Sequence, residues 1–350
     1  MSRPEHSQNA GIIGYGTELP DNIITNQRLI ELTGVNSTPQ EIVNRTGIRE
    51  RRWATESQYG SEIHAAMGTL AAQSTLASFG ISAEEIGGLF VSDILGDYTT
   101  PDTAVLMHGR LELDEWCATA NIGGACNGGT KATEIALLHT EKWRRPSLAV
   151  GISVMSKILD PRDRKQNCLF GDGAAAFAIN THPEMPQWHA AFSNRANRQA
   201  IGQDHGKRLD MDGHKVKEYA RAMVPAVIGR VAQAAGVDLK TGGLDFTQID
   251  AIIPHAGNVR MGEMLRDLAK IPKEKFVLAP LEVTGNTSAA SVGVGLRYAY
   301  EQGLLEYNRL QKIILVSIGA GMEATAVVVG SYVNTPTITL PHMLPIQAAA

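Results

Sequence analysis

The sequence predicts an α/β protein with helices on the faces of its sheets and a second half that replays the first. Short apolar runs of strand length alternate with segments of helical period along the whole chain. Such alternation builds layers of sheet and helix. Each half also closes on the same kind of strand, Ala174-Ala-Ala-Phe-Ala-Ile179 in the first and Ala324-Thr-Ala-Val-Val-Val329 in the second. A composition of 43% hydrophobic residues with 35 glycines and few aromatics suits many tight turns between such elements. We place the halves at residues 1–182 and 183–350.

The first half opens on a strand, Gly11-Ile-Ile-Gly-Tyr15, and a short helix over Asn26 to Thr33. Ser37-Thr-Pro-Gln-Glu-Ile-Val43 begins a second helix, with Pro39 in the tolerated first turn. It runs into a basic loop, Arg45-Thr-Gly-Ile-Arg-Glu-Arg-Arg52. Ser61 to Phe79 reads as a long amphipathic helix stopped by Gly80, and Ser82-x-x-Glu85 as a capping box. Leu89-Phe-Val-Ser92 is a buried strand, and Thr100-Pro-Asp-Thr103 starts a helix ending near Gly109. Trp116-Cys-Ala-Thr-Ala-Asn-Ile122 reads as a further buried strand. It leads through Gly123, Gly124, Cys126, Gly128 and Gly129 into a helix from Thr130 to His139. Leu148-Ala-Val-Gly-Ile-Ser-Val154 is the next strand, and a Gly171-Asp-Gly173 turn, read as structural, precedes the closing one.

In the second half Val216 to Ala235 is a long helix, and Ile249-Asp-Ala-Ile-Ile253 a strand entering Pro254-His-Ala-Gly-Asn258. A helix over Val259 to Ala269 follows, then Phe276-Val-Leu278, Gly285-Asn-Thr-Ser288 and a helix from Ala289 to Gln302. Ile313-Ile-Leu-Val-Ser-Ile318 is a strand. The tail from Thr335 carries Pro336, Pro341 and Pro345 and is expected to wrap irregularly over the surface.

Composition excludes several classes. Thirty-two basic against 36 acidic residues, a formal charge of −4, argue against a nucleic-acid partner. Cys117, Cys126 and Cys168 form no C-x-x-C pair and no even disulfide set, which favours a reducing compartment. Residues 1–10 lack the apolar core of a signal peptide, and no apolar run has membrane-spanning length, so a cytoplasmic protein is expected. Ten histidines include no H-E-x-x-H or ligand cluster, so no metal is expected. Gly319-Ala-Gly-Met-Glu-Ala324 imitates a dinucleotide fingerprint, but a strand-like run follows it instead of a helix.

Chemistry concentrates on strand-to-helix turns. Cys126 sits on one of them, where a helix N-terminus favours thiolate and glycines admit a ligand. As a free cysteine it also fits the description of a small buried hydrophobe. His255 and Asn286 follow apolar strands in the same way, at the end of the strand where open α/β sheets place ligands. Taken singly, each has a plainer reading, a capping or core histidine and an ordinary N-cap. Three such positions converge on one face of a layered fold. Arg260, Arg266, Lys270, Lys273 and Lys275 surround the helix after His255, as a solvated face or a dock for an acidic partner.

These residues resemble the ketoacyl-ACP synthase III branch of the thiolase-fold condensing enzymes. The likeness runs from Gly11 to Gly330. It rests on Arg45-Thr-Gly-Ile-Arg-Glu-Arg51, Ala125-Cys126, Asp160-Pro-x-Asp-Arg164, Phe170-Gly-Asp-Gly-Ala174, Pro254-His255-x-x-Asn258 and Gly285-Asn286-Thr-Ser-Ala-Ala-Ser291. The resemblance implies a thiolase-like five-layer αβαβα fold built from two similar halves, usually a homodimer. It implies that Cys126 is acylated from an acyl-CoA or acyl carrier protein thioester. His255 and Asn286 would then bind the thioester carbonyl while a malonyl unit decarboxylates. Cys126 and Ala320 would form the oxyanion hole, Arg45, Arg164 and Asn258 would bind substrate, and no cofactor is required. Arg260, Arg266 and Lys270 would dock acyl carrier protein.

The sequence departs from that family in five places. His255-Ala-Gly-Asn258 lacks a common glutamine, Glu41 stands where a tryptophan stacks on adenine, and Gly319-Ala320-Gly321 replaces three glycines. Thr100 and Ile318 stand where phenylalanines close the pocket of acetyl-primed relatives, which predicts a bulkier primer. The rival readings are an acyltransferase to an oxygen or nitrogen nucleophile, a non-catalytic partner subunit and, more remotely, a dinucleotide oxidoreductase.

Overall fold

The computed structural model describes residues 9–160, 163–182, 185, 187–193, 200–202, 209–240 and 243–338. The first half runs β1 (Asn9–Glu18), β2 (Ile23–Thr25), α1 (Asn26–Thr33), α2 (Pro39–Thr46), β3 (Glu50–Arg52), α3 (Glu56–Tyr59) and α4 (Ile63–Phe79). It continues with β4 (Gly88–Ser92), α5 (Thr103–Arg110), β5 (Ala118–Asn121), α6 (Gly128–Trp143), β6 (Ser147–Ser153), α7 (Arg164–Asn167) and β7 (Gly173–His182). Then come β8 (Gln187–Ser193), β9 (Ile201–Gly202), β10 (Asp210–Met211), α8 (Gly213–Ala234), β11 (Leu239–Lys240), β12 (Gly243–Leu244) and β13 (Ala251–Pro254). The chain closes with α9 (Val259–Leu268), α10 (Leu281–Thr284), α11 (Ser291–Glu301), β14 (Gln311–Gly319) and β15 (Glu323–Ser331).

Strands order as β1-β7-β6-β4-β5 and as β8-β15-β14-β13, and the two sets meet where Ile12 of β1 pairs with Ser331 of β15. The pairing sense is the same in both. β4 and β6 are parallel, as are β13 and β14, while β6–β7–β1 and β14–β15–β8 are antiparallel. The counterpart of β5 in the second set is a single parallel bridge between Ile252 and Phe276.

Alternation along these strands builds three cores. Because side chains alternate faces along a strand, Phe90 and Ala149 point to one side of the first set while Leu89, Val91, Leu148 and Val150 point to the other. In the second set Leu315 and Val327 face the same central core as Phe90, and Ile314, Val316 and Val328 face outward. α6 and α11 fill the centre with Ala132, Ala136, Leu137, Leu296 and Ala299. α4 and α5 cover one outer face and α8 and α9 the other. The result is five layers, α-β-α-β-α.

The fold corrects two expectations. The strand expected over Trp116–Ile122 forms as β5, but at a sheet edge with one neighbour, so residues 118, 119 and 121 are exposed and Trp116 is 81% exposed. The basic loop ends in β3, paired with β2, and there it buries two of its four arginines, Arg51 and Arg52. Arg51 is fully buried, donating to the carbonyls of Ile24 and Cys168 at 3.1 Å each, and burial lowers its pKa to about 10. The capping box at Ser82 holds one 3₁₀ turn. The Gly319–Ala324 run closes an antiparallel hairpin between β14 and β15. No helix among the described residues is long and apolar enough to cross a membrane. The tail beyond residue 338, residues 1–8 and Pro161 lie outside the described residues.

Candidate active site

Cys126 occupies a strained turn. Gly124 (φ 135°) and Ala125 (φ 50°) take left-handed backbone, and a 3₁₀ turn over Ala125–Asn127 delivers the thiol directly before α6. Positive φ costs alanine energy, and such strain gathers at functional sites. The 286–291 segment meets this turn because glycines let it in. A Cβ on Gly129 of α6 would lie 2.1 Å from the Ala289 carbonyl oxygen, and one on Gly151 of β6 2.3 Å from it.

That close approach joins the three candidates through one stretch of backbone. The Ser288 hydroxyl donates to Cys126 Sγ at 3.3 Å. The Asn286 carboxamide oxygen accepts from the Ser288 amide at 2.8 Å, and its nitrogen reaches the Gly257 carbonyl at 3.5 Å. One turn further on, Ser291 Oγ lies 3.0 Å from His255 Nδ1 and 3.2 Å from Thr287 Oγ1. His255 is held at the end of β13 by its amide, which donates to the Val316 carbonyl at 2.7 Å. Asn286 is held through its backbone, which bonds Leu169 and Gly171 and bridges to Phe170.

Ser288 and Ser291 escaped the reading of residue types. Their spacing within Gly285–Ser291 was the available signal, since residues three apart at a helix start share a face.

Electrostatics at the site follow burial. Burial pushes the Cys126 thiol above the ordinary cysteine range, and the Ser288 hydrogen bond and the residue's own amide pull the other way without reversing it. This corrects the expectation of a thiolate favoured by the helix start. The desolvation of a fully enclosed sulfur outweighs the partial charge of the helix end. Burial alone lowers the His255 pKa to about 4, which leaves a neutral imidazole at pH 7.

Cys126 opens into a cavity of about 440 Å³. Leu95, Met155, Ile158, Phe170, Ile201 and Leu209 make its walls apolar, and Ser288 and Ala320 line it beside the cysteine. Thr100 is exposed and Ile318 is buried in the outer core of the second half. Neither is among the described residues that line this cavity within the single chain. Asn258 caps α9, its side-chain oxygen accepting from the Met261 amide at 2.9 Å. Arg45 is exposed in the last turn of α2, and the side chain of Arg164 lies outside the described residues. On α9, Arg260 is paired with Glu263 at 3.0 Å and Arg266 with Asp267 at 2.7 Å, while Lys270 is exposed beyond its end. The Gly171-Asp-Gly173 turn is structural: buried Asp172 accepts from the Ala54 and Ser156 amides and the Ser156 hydroxyl at 2.8, 3.0 and 2.5 Å. No group of metal-ligating side chains occurs among the described residues.

Five layers, a cysteine before a central helix and a buried His/Asn pair on the facing half define a condensing enzyme of the thiolase fold. Comparison with known proteins narrows the class. Residues 121–195 match the family description 3-oxoacyl-(acyl-carrier-protein) synthase III, and residues 239–331 match its C-terminal region. The chain is 33% identical over 336 residues to a β-ketoacyl-(acyl-carrier-protein) synthase III of Clostridium beijerinckii, spanning 91% of this chain and 98% of that relative. The crystal structure of the Aquifex aeolicus VF5 3-oxoacyl-(acyl-carrier-protein) synthase III superposes with a TM-score of 0.82 at 28% identity, over 91% of this chain and 99% of that one. A priming β-ketosynthase from a polyketide biosynthetic pathway superposes at 0.83 with 25% identity, over 96% and 99%. The chain belongs to the 3-oxoacyl-(acyl-carrier-protein) synthase III family, and it is a condensing enzyme and a transferase.

Proposed function

We propose that Cys126 takes an acyl group from a coenzyme A or carrier-protein thioester and passes it to the carbanion of a decarboxylating malonyl thioester. The Cys126 thiolate adds to the thioester carbonyl, and the donor thiol leaves with a proton. The Cys126 and Ala320 amides are assigned to the oxyanion formed there. Malonyl thioester then loses carbon dioxide to give an enolate. Its carbon attacks the acyl-cysteine carbonyl, and collapse expels the Cys126 thiolate and the 3-oxoacyl thioester.

His255 and Asn286 serve the decarboxylation. With Ser291 donating to Nδ1, the neutral imidazole carries its proton on Nε2 and offers it to the enolate oxygen. A site charged at neutral pH would bind the malonyl carboxylate and hinder its loss, so burial suits His255 to this task. The observation that carries the proposal is the joint hold of the 286–291 segment on Cys126 through Ser288 and on His255 through Ser291.

The apolar walls and volume of the cavity favour a primer longer than two carbons, since such a site gains about 0.8 kcal/mol per buried methylene. Arg45 stands for the coenzyme A contact. Lys270 carries the most available charge for an acidic carrier protein, because Arg260 and Arg266 have acids beside them on α9. The exposed edge of β5 and the exposed Trp116 support a homodimer built on that strand. Residues 1–182 would then supply the nucleophile and 183–350 the His/Asn pair.

The test uses His255→Ala and Asn286→Ala with a malonyl thioester and pre-acylated enzyme. Each variant should keep Cys126 acylation measurable and lose condensation by about a hundredfold or more, as removal of one oxyanion-type donor does. Condensation at the parental rate in both would refute the assignment.

A further inference from the structure

The loop after β4 owes its shape to one buried carboxylate. Asp93 is 4% exposed. Its Oδ1 accepts from the Leu95 and Gly96 amides at 3.2 and 3.3 Å, and its Oδ2 from the Thr103 hydroxyl at 2.8 Å. Its backbone carbonyl accepts from the Asn121 side chain at 2.7 Å. Behind it His64, buried in the first turn of α4, sets Nδ1 3.0 Å from both carboxylate oxygens. Asp97, further along the loop, accepts from the His64 and Ala65 amides at 3.1 and 2.8 Å. The loop is thus pinned at both ends to the start of α4.

This pinned loop is also a wall of the candidate site. Ile94 and Leu95, the two residues after Asp93, line the Cys126 cavity. Asp93 itself lines a small recess shared with Ala125 and Ser288, directly behind that wall. Moving the carboxylate therefore moves apolar surface that an acyl chain would touch. The side-chain hydrogen bonds on Cys126 and His255 come from Ser288 and Ser291, so the chemistry does not hang on this loop.

We infer that His64 and Asp93 are positioning residues that set the acyl selectivity of Cys126 by holding the Ile94–Leu95 wall in place. The inference rests on the reading of Cys126 as the acylated nucleophile. Each partner favours the charged form of the other. Burial opposes charge on His64, but Asp93, with Asp97 and Asp172 beyond it, raises its pKa all the same. Burial also opposes charge on Asp93, and the His64, Thr103 and Gly96 contacts overcome that and lower its pKa. Removing one partner leaves the other charge buried and unpaired, which is costly enough to displace a loop.

The experiment measures second-order rates of Cys126 acylation by straight-chain acyl-CoAs from acetyl to decanoyl, by intact-protein mass spectrometry. Parent, His64→Ala, Asp93→Asn and the milder Thr103→Val are compared. A well-held apolar wall discriminates about fourfold per methylene. The variants should flatten that dependence to less than about twofold per methylene, while alkylation by iodoacetamide, too small to feel the wall, stays within about twofold of parent. Thr103→Val keeps both charges and guards against unfolding of the other two. An unchanged chain-length dependence overturns the inference. So does a fall in the iodoacetamide rate parallel to that for every acyl-CoA. A parent that accepts no acyl group from any thioester would refute the condensing reading itself; an acylated parent with unaltered variants refutes only the role of this pair.

Discussion

Ser288→Ala removes the one side-chain hydrogen bond made to the Cys126 sulfur among the described residues, at 3.3 Å. A hydrogen bond to a charged acceptor is worth about 1.5–3 kcal/mol, so its loss raises the thiol pKa and, well below that pKa, cuts the thiolate population about ten- to a hundredfold. A more basic thiolate is a better nucleophile, with a Brønsted slope of about 0.4–0.5, which recovers nearly half of the loss on a logarithmic scale. The net expectation is acylation or alkylation slowed about three- to fifteenfold at pH 7. Above the shifted pKa the order reverses, and the variant should react about three- to tenfold faster than the parent. The assay is iodoacetamide alkylation of Cys126 followed by mass from about pH 6 upward, past the pH at which the parent profile levels off. Crossing pH–rate profiles are the signature of a lost thiolate donor. Parallel profiles, lowered equally at every pH, would refute the reasoning and mark Ser288 as packing alone.

Further outcomes follow from the same geometry. Gly129→Ala would normally gain about 1 kcal/mol from helix propensity, but its Cβ would stand 2.1 Å from the Ala289 carbonyl. Overpacking costs about 1–3 kcal/mol or more, so urea denaturation should show net destabilisation, with slower acylation as Ser288 is displaced. Asp172→Ala strands three donors and should cost about 3 kcal/mol in the same measurement; a loss below about 1 kcal/mol would show that water replaces the carboxylate. His255 has its pKa lowered from 6.5 to about 4, so the unfolded chain binds its proton first as pH falls. Stability from this group is present above about pH 6.5 and drains away down to about pH 4, by up to about 3 kcal/mol. His255→Gln should lack that share of the acid sensitivity when denaturation at pH 7 and pH 4.5 is compared, and equal sensitivity would contradict a neutral buried imidazole.

The layered architecture was legible because strands with alternating faces and helices with one apolar stripe announce themselves locally. Gly80 stops its helix in left-handed backbone as its position implies. Cys126, His255 and Asn286 drew attention in the sequence as polar residues beside glycines between apolar runs and helices, although in the structure Cys126 follows the exposed edge strand β5 and Asn286 follows α10. What escaped depends on distant packing. Nothing local distinguishes Arg51, fully buried against Ile24 and Cys168, from its solvated neighbour Arg49. Trp116-Cys-Ala-Thr-Ala-Asn-Ile122 has the composition of an inner strand, and only its place in the sheet order leaves it at the edge. The rise in the Cys126 pKa likewise comes from burial in the folded chain, and the hydrogen bond that opposes it comes from Ser288, more than 150 residues away in sequence. His64 and Asp93 are 29 residues apart. Neither stands out until the loop between β4 and α5 folds over the start of α4.

The central claim is that Cys126 carries the acyl group. Intact-protein mass spectrometry after incubation with a panel of acyl-CoAs, followed by peptide mapping, tests it directly. One acyl group should appear per chain, on the peptide holding Cys126, and disappear when malonyl thioester is added and a 3-oxoacyl product is released. Acylation on Cys117 or Cys168, both buried, or on no cysteine at all, would contradict the account.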